Sequence, residues 1–220
     1  MILQPFINKE TKGKNNIHPF LYFGTDNELP DFRRVKKEFD LLYVGNNWYR
    51  WRDIKWLMKT VAPIRSRLKR IALMGQYWSK EVMKEFKEAT YSEPNLLKKN
   101  SIKILGSAPY GQVERAMSRG LLNPIFIRPI LNKMQFVTPR MFETIMANTV
   151  PLIPSYFKYA QRLYGDTINK LTLSTDHPCD DLERILLDYE ESKKTVGKIR
   201  KSIKAQHRYE IRLKQLLQYI

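Results

Sequence analysis

The sequence predicts an α/β fold: a Rossmann-like parallel sheet with helices on both faces, followed by C-terminal helices. Three observations predict it. Short apolar runs alternate along the chain with stretches whose apolar residues recur at helical spacing. The runs are mainly apolar, as strands covered on both faces are. Three of them stop at a glycine, Gly45, Gly75 and Gly106, and in such sheets ligands sit at these carboxyl ends.

Residues 1–38 read as an arm or connector, with a polar loop at 9–16 and one short strand at 19–23 before Gly24. From Phe39 the pattern changes. Residues 40–44 make a continuous apolar run into Gly45-Asn46-Asn47, a buried strand entering a loop. Trp51, Ile54, Leu57, Met58 and Val61 place a helix over 51–61, with Pro63 just beyond. A strand at 70–74 closes at Gly75, a helix covers 80–89, and a strand at 101–105 closes at Gly106. The cycle continues with a helix at 112–119, a strand at 124–129 and a helix at 139–147. Pro139 suits that helix's first turn and Thr138 is its candidate cap. The prolines of the strand at 150–154 suggest a short or edge position, though buried strands next to a ligand loop also carry them. A helix at 156–164 and a last strand at 170–173 complete the sheet, and from Asp180 the chain is helical. The divisions are thus an arm (1–38), a sheet domain (39–190) and a basic helical extension (191–220).

Composition narrows the class. Of 220 residues, 43% are hydrophobic and 28% charged, which suits a folded domain with a full core. No apolar run approaches the ~20 residues that span a bilayer, and the first residues lack a signal-peptide pattern. A cytoplasmic protein is expected, at most peripheral to a membrane. The single Cys179 leaves no disulfide framework or Cys-based zinc site, and His18, His177 and His207 are scattered, so no metal site is expected. The net charge of +17 favours phosphate-bearing partners: nucleotide, nucleic acid or anionic lipid. A solubilising lysine-rich surface is the plainer account.

Three stretches can carry chemistry. In Gly45-Asn46-Asn47-Trp48-Tyr49-Arg50-Trp51-Arg52 a glycine turn leads to a helix start flanked by Arg50 and Arg52, a seat for a diphosphate or simply a tight strand-to-helix turn. At Gly106-Ser107 an open backbone can meet the edge of a nucleobase, or merely turn. At the start of the helix over 139–147, Arg140 and Glu143 are i,i+3 neighbours. Arg140 can face phosphate and Glu143 ribose hydroxyls, or the two can form a surface ion pair worth under ~1 kcal/mol.

These blocks, in this order, resemble the C-terminal donor-binding domain of GT-B glycosyltransferases, especially the spore-maturation-like and group-1 families. The resemblance covers residues 39 to 190, and its most specific block is 138–154. It implies a single GT-B lobe that binds a nucleotide-sugar, a uridine diphosphate sugar being the expected donor, with no other cofactor. Glu143 then falls on the ribose, and Gly45 and Gly106 lie against phosphate and base. Asn46, Ser107, Arg50, Arg52 and Arg140 complete the expected site, and no catalytic residue is assigned. Arginines and helix-end amides would stabilise the leaving diphosphate. Many retaining members carry an acid eight positions before the helix glutamate, where this sequence has Gln135. GT-B enzymes also use a second, N-terminal lobe for the acceptor, while only 38 residues precede this sheet. A fragment, a partner chain or homo-oligomer supplying that lobe, and a reduced nucleotide-binding protein are the expected alternatives.

The C-terminal segment holds Lys193, Lys194, Lys198, Arg200, Lys201, Lys204, Arg208, Arg212 and Lys214. Leu213, Leu216, Leu217 and Ile220 can dock one face while the basic face stays wet. That face suits a polyanionic acceptor, nucleic acid or acidic glycan, or an anionic membrane. Trp48, Tyr49, Trp51 and Trp56 among Arg50, Arg52 and Lys55 read either as helix packing or as a stacking platform. A basic nucleic-acid-binding protein without catalysis is therefore the competing reading, and a phage-type DNA-modifying glycosyltransferase satisfies both.

Overall fold

The computed structural model describes residues 2–6, 17–79 and 84–219. The loop expected at 9–16, the start of the helix expected over 80–89, and Ile220 lie outside the described residues. In chain order the elements are β1 (Ile2–Gln4), β2 (Ile17–Pro19), β3 (Phe39–Val44), α1 (Trp51–Val61), β4 (Ile71–Met74), α2 (Lys87–Thr90), α3 (Pro94–Lys99) and β5 (Ile102–Leu105). Then follow α4 (Val113–Met117), β6 (Gly120–Pro124), α5 (Pro129–Lys133), α6 (Pro139–Met146), β7 (Val150–Pro154), α7 (Ala160–Tyr164) and β8 (Thr172–Leu173). Three helices end the chain: α8 (Pro178–Leu187), α9 (Tyr189–Gln206) and α10 (Tyr209–Leu217).

Strands β3 to β8 form one six-stranded sheet in the order β5-β4-β3-β6-β7-β8, parallel at every pairing. Alternation along β3 explains the two covered faces. Leu41 and Tyr43 join the larger core with Ile54, Leu57 and Ile185, while Leu42 and Val44 pack with Ala116, Met117 and Ala147. Leu41, Leu42 and Leu122 are fully buried, each contributing about 1.5–3 kcal/mol relative to exposure. Val196, Ile199 and Ile203 of α9 belong to the larger core as well. Among the described residues no helix is long and apolar enough to cross a membrane.

Four expectations are corrected. The strand expected at 124–129 lies at Gly120–Pro124. Its polar Asn123 is accommodated because Nδ2 donates to Met117 O and Thr149 Oγ1, whereas Ile125, Phe126 and Ile127 form a buried loop. The proline-bearing β7 is an inner strand, shielded by the two-residue β8. In the arm, the strand expected at 19–23 is replaced by the β1–β2 pair, and Thr25 exchanges backbone hydrogen bonds with His207 and Tyr209. Finally, α10 leaves Leu213 and Leu217 59% and 62% exposed while burying Arg212. The guanidinium of Arg212 donates to Phe23 O and to His207. That of Arg200 donates to Ile145 O and Met146 O, at the end of α6, and to Pro30 O. Both arginines thus leave the wet face because they satisfy carbonyls that helix and loop ends leave free.

Candidate functional site

The chain runs outward from β3 through β4 to β5, then returns to place β6 on the other side of β3. This reversal opens a crevice at the carboxyl ends of the strands. Glycines follow three of them directly, and Gly75 is needed where it stands. Its φ is +144°, and a Cβ there would lie 2.3 Å from Gly45 O. Side chains stitch the loops together. Asn46 Oδ1 accepts from Gln76 N–H at 2.9 Å, and Trp78 Nε1 donates to Gly45 O at 2.9 Å. The fully buried Asn47 directs its amide to the carbonyls of Tyr77, Thr90 and Tyr91.

Above these loops lies a cleft of ≈ 240 Å³ bordered by Gly45, Asn46, Gly75, Ser107 and Arg140. It unites four of the expected residues from three separate segments. Arg140 reaches it from the first turn of α6, which Pro139 opens; Thr138 occupies the cap position without a side-chain capping bond. Arg140 Nη1 stands 3.3 Å from Glu143 Oε2, yet no hydrogen-bond partner is aligned with it and it is buried. Glu143 lies outside the lining of this cleft. It is near Glu114, whose carboxyl is pushed up first by burial and then by the Glu143 charge. Gly106 and Ser107 border a neighbouring hollow of ≈ 400 Å³ with Tyr77 and Trp78. A Cβ on Gly106 would meet nothing within 4 Å, so the space over its backbone is open.

Arg50 and Arg52 go elsewhere. Arg50 neighbours the buried Asp53, whose carboxyl is pushed up by burial against the pull of Arg50 and Arg52. Tyr156 donates its hydroxyl to Asp53 Oδ1 at 3.3 Å, and burial, then Asp53, holds that phenol above its ordinary range. Arg50 Nη1 is buried without a hydrogen-bond partner. Across from it Arg128, in the loop after β6, is held below the usual arginine range by burial first and Arg50 second. Arg52 and Arg128 share a separate cavity of ≈ 450 Å³ with Tyr49, Trp51 and Ile130. Trp51 is buried and donates its Nε1–H to Glu93 at 3.0 Å; Trp48 packs against Phe86, and Trp56 packs on the core. The tryptophans therefore serve packing, and of the four aromatic residues Trp48, Tyr49, Trp51 and Trp56 it is Tyr49 that offers a half-exposed ring. Arg128, Asp53 and Tyr156 escaped the sequence reading. The misplaced strand at 124–129 hid Arg128; ending it at Pro124 puts Arg128 in a loop at the crevice.

Fold and crevice together define a Rossmann-like lobe with a ligand site at a reversal of strand order, the lobe architecture of the GT-B class. The chain belongs to the glycosyl transferase-like family, whose model matches residues 33–218. No curated protein matches it. Among solved structures it is similar to TarM, at 12% identity and TM-score 0.63 over 92% of this chain and 39% of that one. It is also similar to the pneumococcal O-GlcNAc transferase GtfA in complex with UDP and GlcNAc, at 16% identity and TM-score 0.57 over 92% and 40% of the chains. A mutant T4 phage BGT in complex with UDP-glucose gives 18% identity and TM-score 0.52 over 90% and 51%. The chain thus spans between 39% and 51% of the length of these structures.

Proposed function

We propose that the glycine cleft binds a nucleoside-diphosphate sugar, with uridine diphosphate as the nucleotide, and that the chain takes part in glycosyl transfer. The observation that carries this reading is the buried Nη1 of Arg140 at the cleft, without a hydrogen-bond partner, beside glycine-ended strands. A buried donor that has a neighbouring charge but no aligned hydrogen bond gains from a ligand that supplies one, and a phosphate oxygen does so with a charge-assisted bond. Arg50, also with a buried free Nη1, adds positive charge on the far side of the loop Gly45–Arg50. Residues 39–190 supply the nucleotide-sugar domain. Glu143 reaches ribose hydroxyls by giving up its pair with Arg140, and Gly106 and Ser107 leave backbone open to a base.

In the transfer, the bond from the sugar's anomeric carbon to the β-phosphate oxygen breaks and its electron pair leaves with the diphosphate. A bond to an acceptor oxygen or nitrogen forms as the acceptor loses a proton. Arg140 counters the charge that grows on the leaving group. A second lobe, from further chain, a partner or another copy, completes the enzyme in this reading. The lengths of the similar structures support it, as does the GtfA/B complex among them.

Calorimetry with uridine and guanosine diphosphates tests the reading. Arg140→Gln and Glu143→Ala are each expected to weaken uridine diphosphate binding about tenfold or more. Absence of binding by the unaltered chain, or unchanged affinity in both variants, overturns it.

A further inference from the structure

The cavity holding Arg52 and Arg128 is distinct from the glycine cleft, the loop Gly45–Arg50 standing between them. Its wall is apolar and aromatic, from Tyr49, Trp51 and Ile130, and its charge is two guanidinium groups against the single acid Glu88. Among the described residues neither the Arg52 nor the Arg128 side chain makes an ion pair or hydrogen bond. Tyr49 is the second sign of a built site. It holds φ +57°, a left-handed conformation that bulky residues rarely adopt and that costs about 1–3 kcal/mol. Its amide donates to Ala89 O, fixing the strained turn. The ring nonetheless stays 50% exposed, as Ile130 stays 58% exposed, so the strain is not repaid by burying the ring.

An apolar wall with a presented π-face and two unpaired arginines matches a nucleobase flanked by phosphates. A free sugar would leave many hydroxyls without partners on such a wall, and a lone phosphate would leave the wall unused. The net charge of +17, with Lys133 exposed at the end of α5 and Lys158 exposed in the loop after β7, extends the attraction beyond one phosphate.

We propose that this cavity seats one unstacked nucleotide of a polynucleotide acceptor, its base on Tyr49 and its flanking phosphates on Arg52 and Arg128. Its role as an acceptor seat rests on the donor reading above; the binding itself does not.

The test is fluorescence anisotropy with a labelled oligothymidylate of about twelve nucleotides, titrated from about 50 to about 200 mM salt. Binding that falls steeply with salt is expected. Replacing both Arg52→Gln and Arg128→Gln should lower the salt slope by about 1.4, the share of two single-strand phosphates. Tyr49→Ala should weaken binding about 5- to 100-fold, with Tyr49→Phe restoring it and both leaving uridine diphosphate affinity in place. The proposal is overturned if the oligonucleotide does not bind, if Tyr49→Ala binds it as tightly as the unaltered chain, or if inorganic polyphosphate competes equally well. Anionic vesicles retained in place of the oligonucleotide overturn it in favour of a lipid phosphate. Uridine diphosphate binding without oligonucleotide binding sinks this inference alone. Oligonucleotide binding without any nucleoside-diphosphate binding sinks the donor reading and supports the seat.

Discussion

His207, between α9 and α10, makes the chain's stability depend on pH in a window that can be worked out. Its ring packs edge-on to Phe142 at 5.5 Å, its carbonyl accepts from Thr25 N–H, and Arg212 donates to its Nδ1, which only the neutral ring accepts. Burial first, and the Arg212 charge second, take its pKa from 6.5 down to about 4. The folded value lies below the unfolded one, so on acidification the unfolded chain takes up the proton first. Above the unfolded value both states are neutral and the ring contributes nothing to the pH dependence. Below it the folded state loses ground progressively, by about 2 kcal/mol near pH 5 and about 3 kcal/mol at full extent. Urea midpoints at about pH 7.5 and about pH 5 measure the loss. His207→Gln cannot titrate, and its amide oxygen can still accept from Arg212. Carboxylates that titrate in both proteins cancel in the comparison. The variant should therefore lose about 2 kcal/mol less than the unaltered chain over the same interval. Equal losses in both would refute the placement of a neutral, buried imidazole against Arg212.

The remaining tests separate backbone from ligand and buried from wet. Gly75→Ala should destabilise by about 2 kcal/mol or more, because its φ is +144° and the new methyl meets Gly45 O at 2.3 Å; an unchanged urea midpoint would contradict that close approach. Gly106→Ala meets nothing within 4 Å, so its stability should stay within about 0.5 kcal/mol while uridine diphosphate affinity falls; unaltered affinity would remove the backbone there from the base contact. Arg200→Met removes donors to Ile145 O, Met146 O and Pro30 O and should cost about 2 kcal/mol, whereas Lys201→Met on the exposed side should be close to neutral, and equal effects would return Arg200 to the wet face.

Most of the sheet was legible because its strands obey a local rule. Buried parallel strands are uninterrupted apolar runs, and those of β3 and β4 stop at glycines that the backbone itself requires or tolerates. Where the rule failed, a tertiary contact had replaced it. The strand expected to begin at Pro124 ends there instead, and its polar Asn123 bonds across to Thr149. The neighbouring Ile125–Ile127 looks like a strand and is a buried loop. The basic helices failed in the opposite sense. A list of lysines and arginines does not say which guanidinium will find free carbonyls, and Arg200 and Arg212 found them at a distance of many residues. The candidate cleft was legible in Gly45, Asn46 and Ser107, which follow strand ends, and in Arg140, which lies in the first turn of α6. The site was not legible in Arg128, whose loop depended on the misread strand, or in the division of Arg52 from Arg140 into separate cavities.

That division has a physical origin in the order of the strands. Because the connections leaving β3 and β6 run to opposite sides of the reversal in strand order, the loop leaving β3 stands as a partition at the carboxyl end of the sheet. Left alone, such a partition would move with each ligand. It is instead pinned from beneath: Asn47 binds three carbonyls, Asn46 takes Gln76 N–H, and Trp78 holds Gly45 O. The strained Tyr49, which lines the arginine cavity, and Arg50, with a buried Nη1 that has no hydrogen-bond partner, follow one another at the end of this element. In the proposed reading, a wall pinned in this way sets the separation of donor and acceptor before either arrives, so that the orientation entropy of bringing them together is met by folding, and not by the encounter.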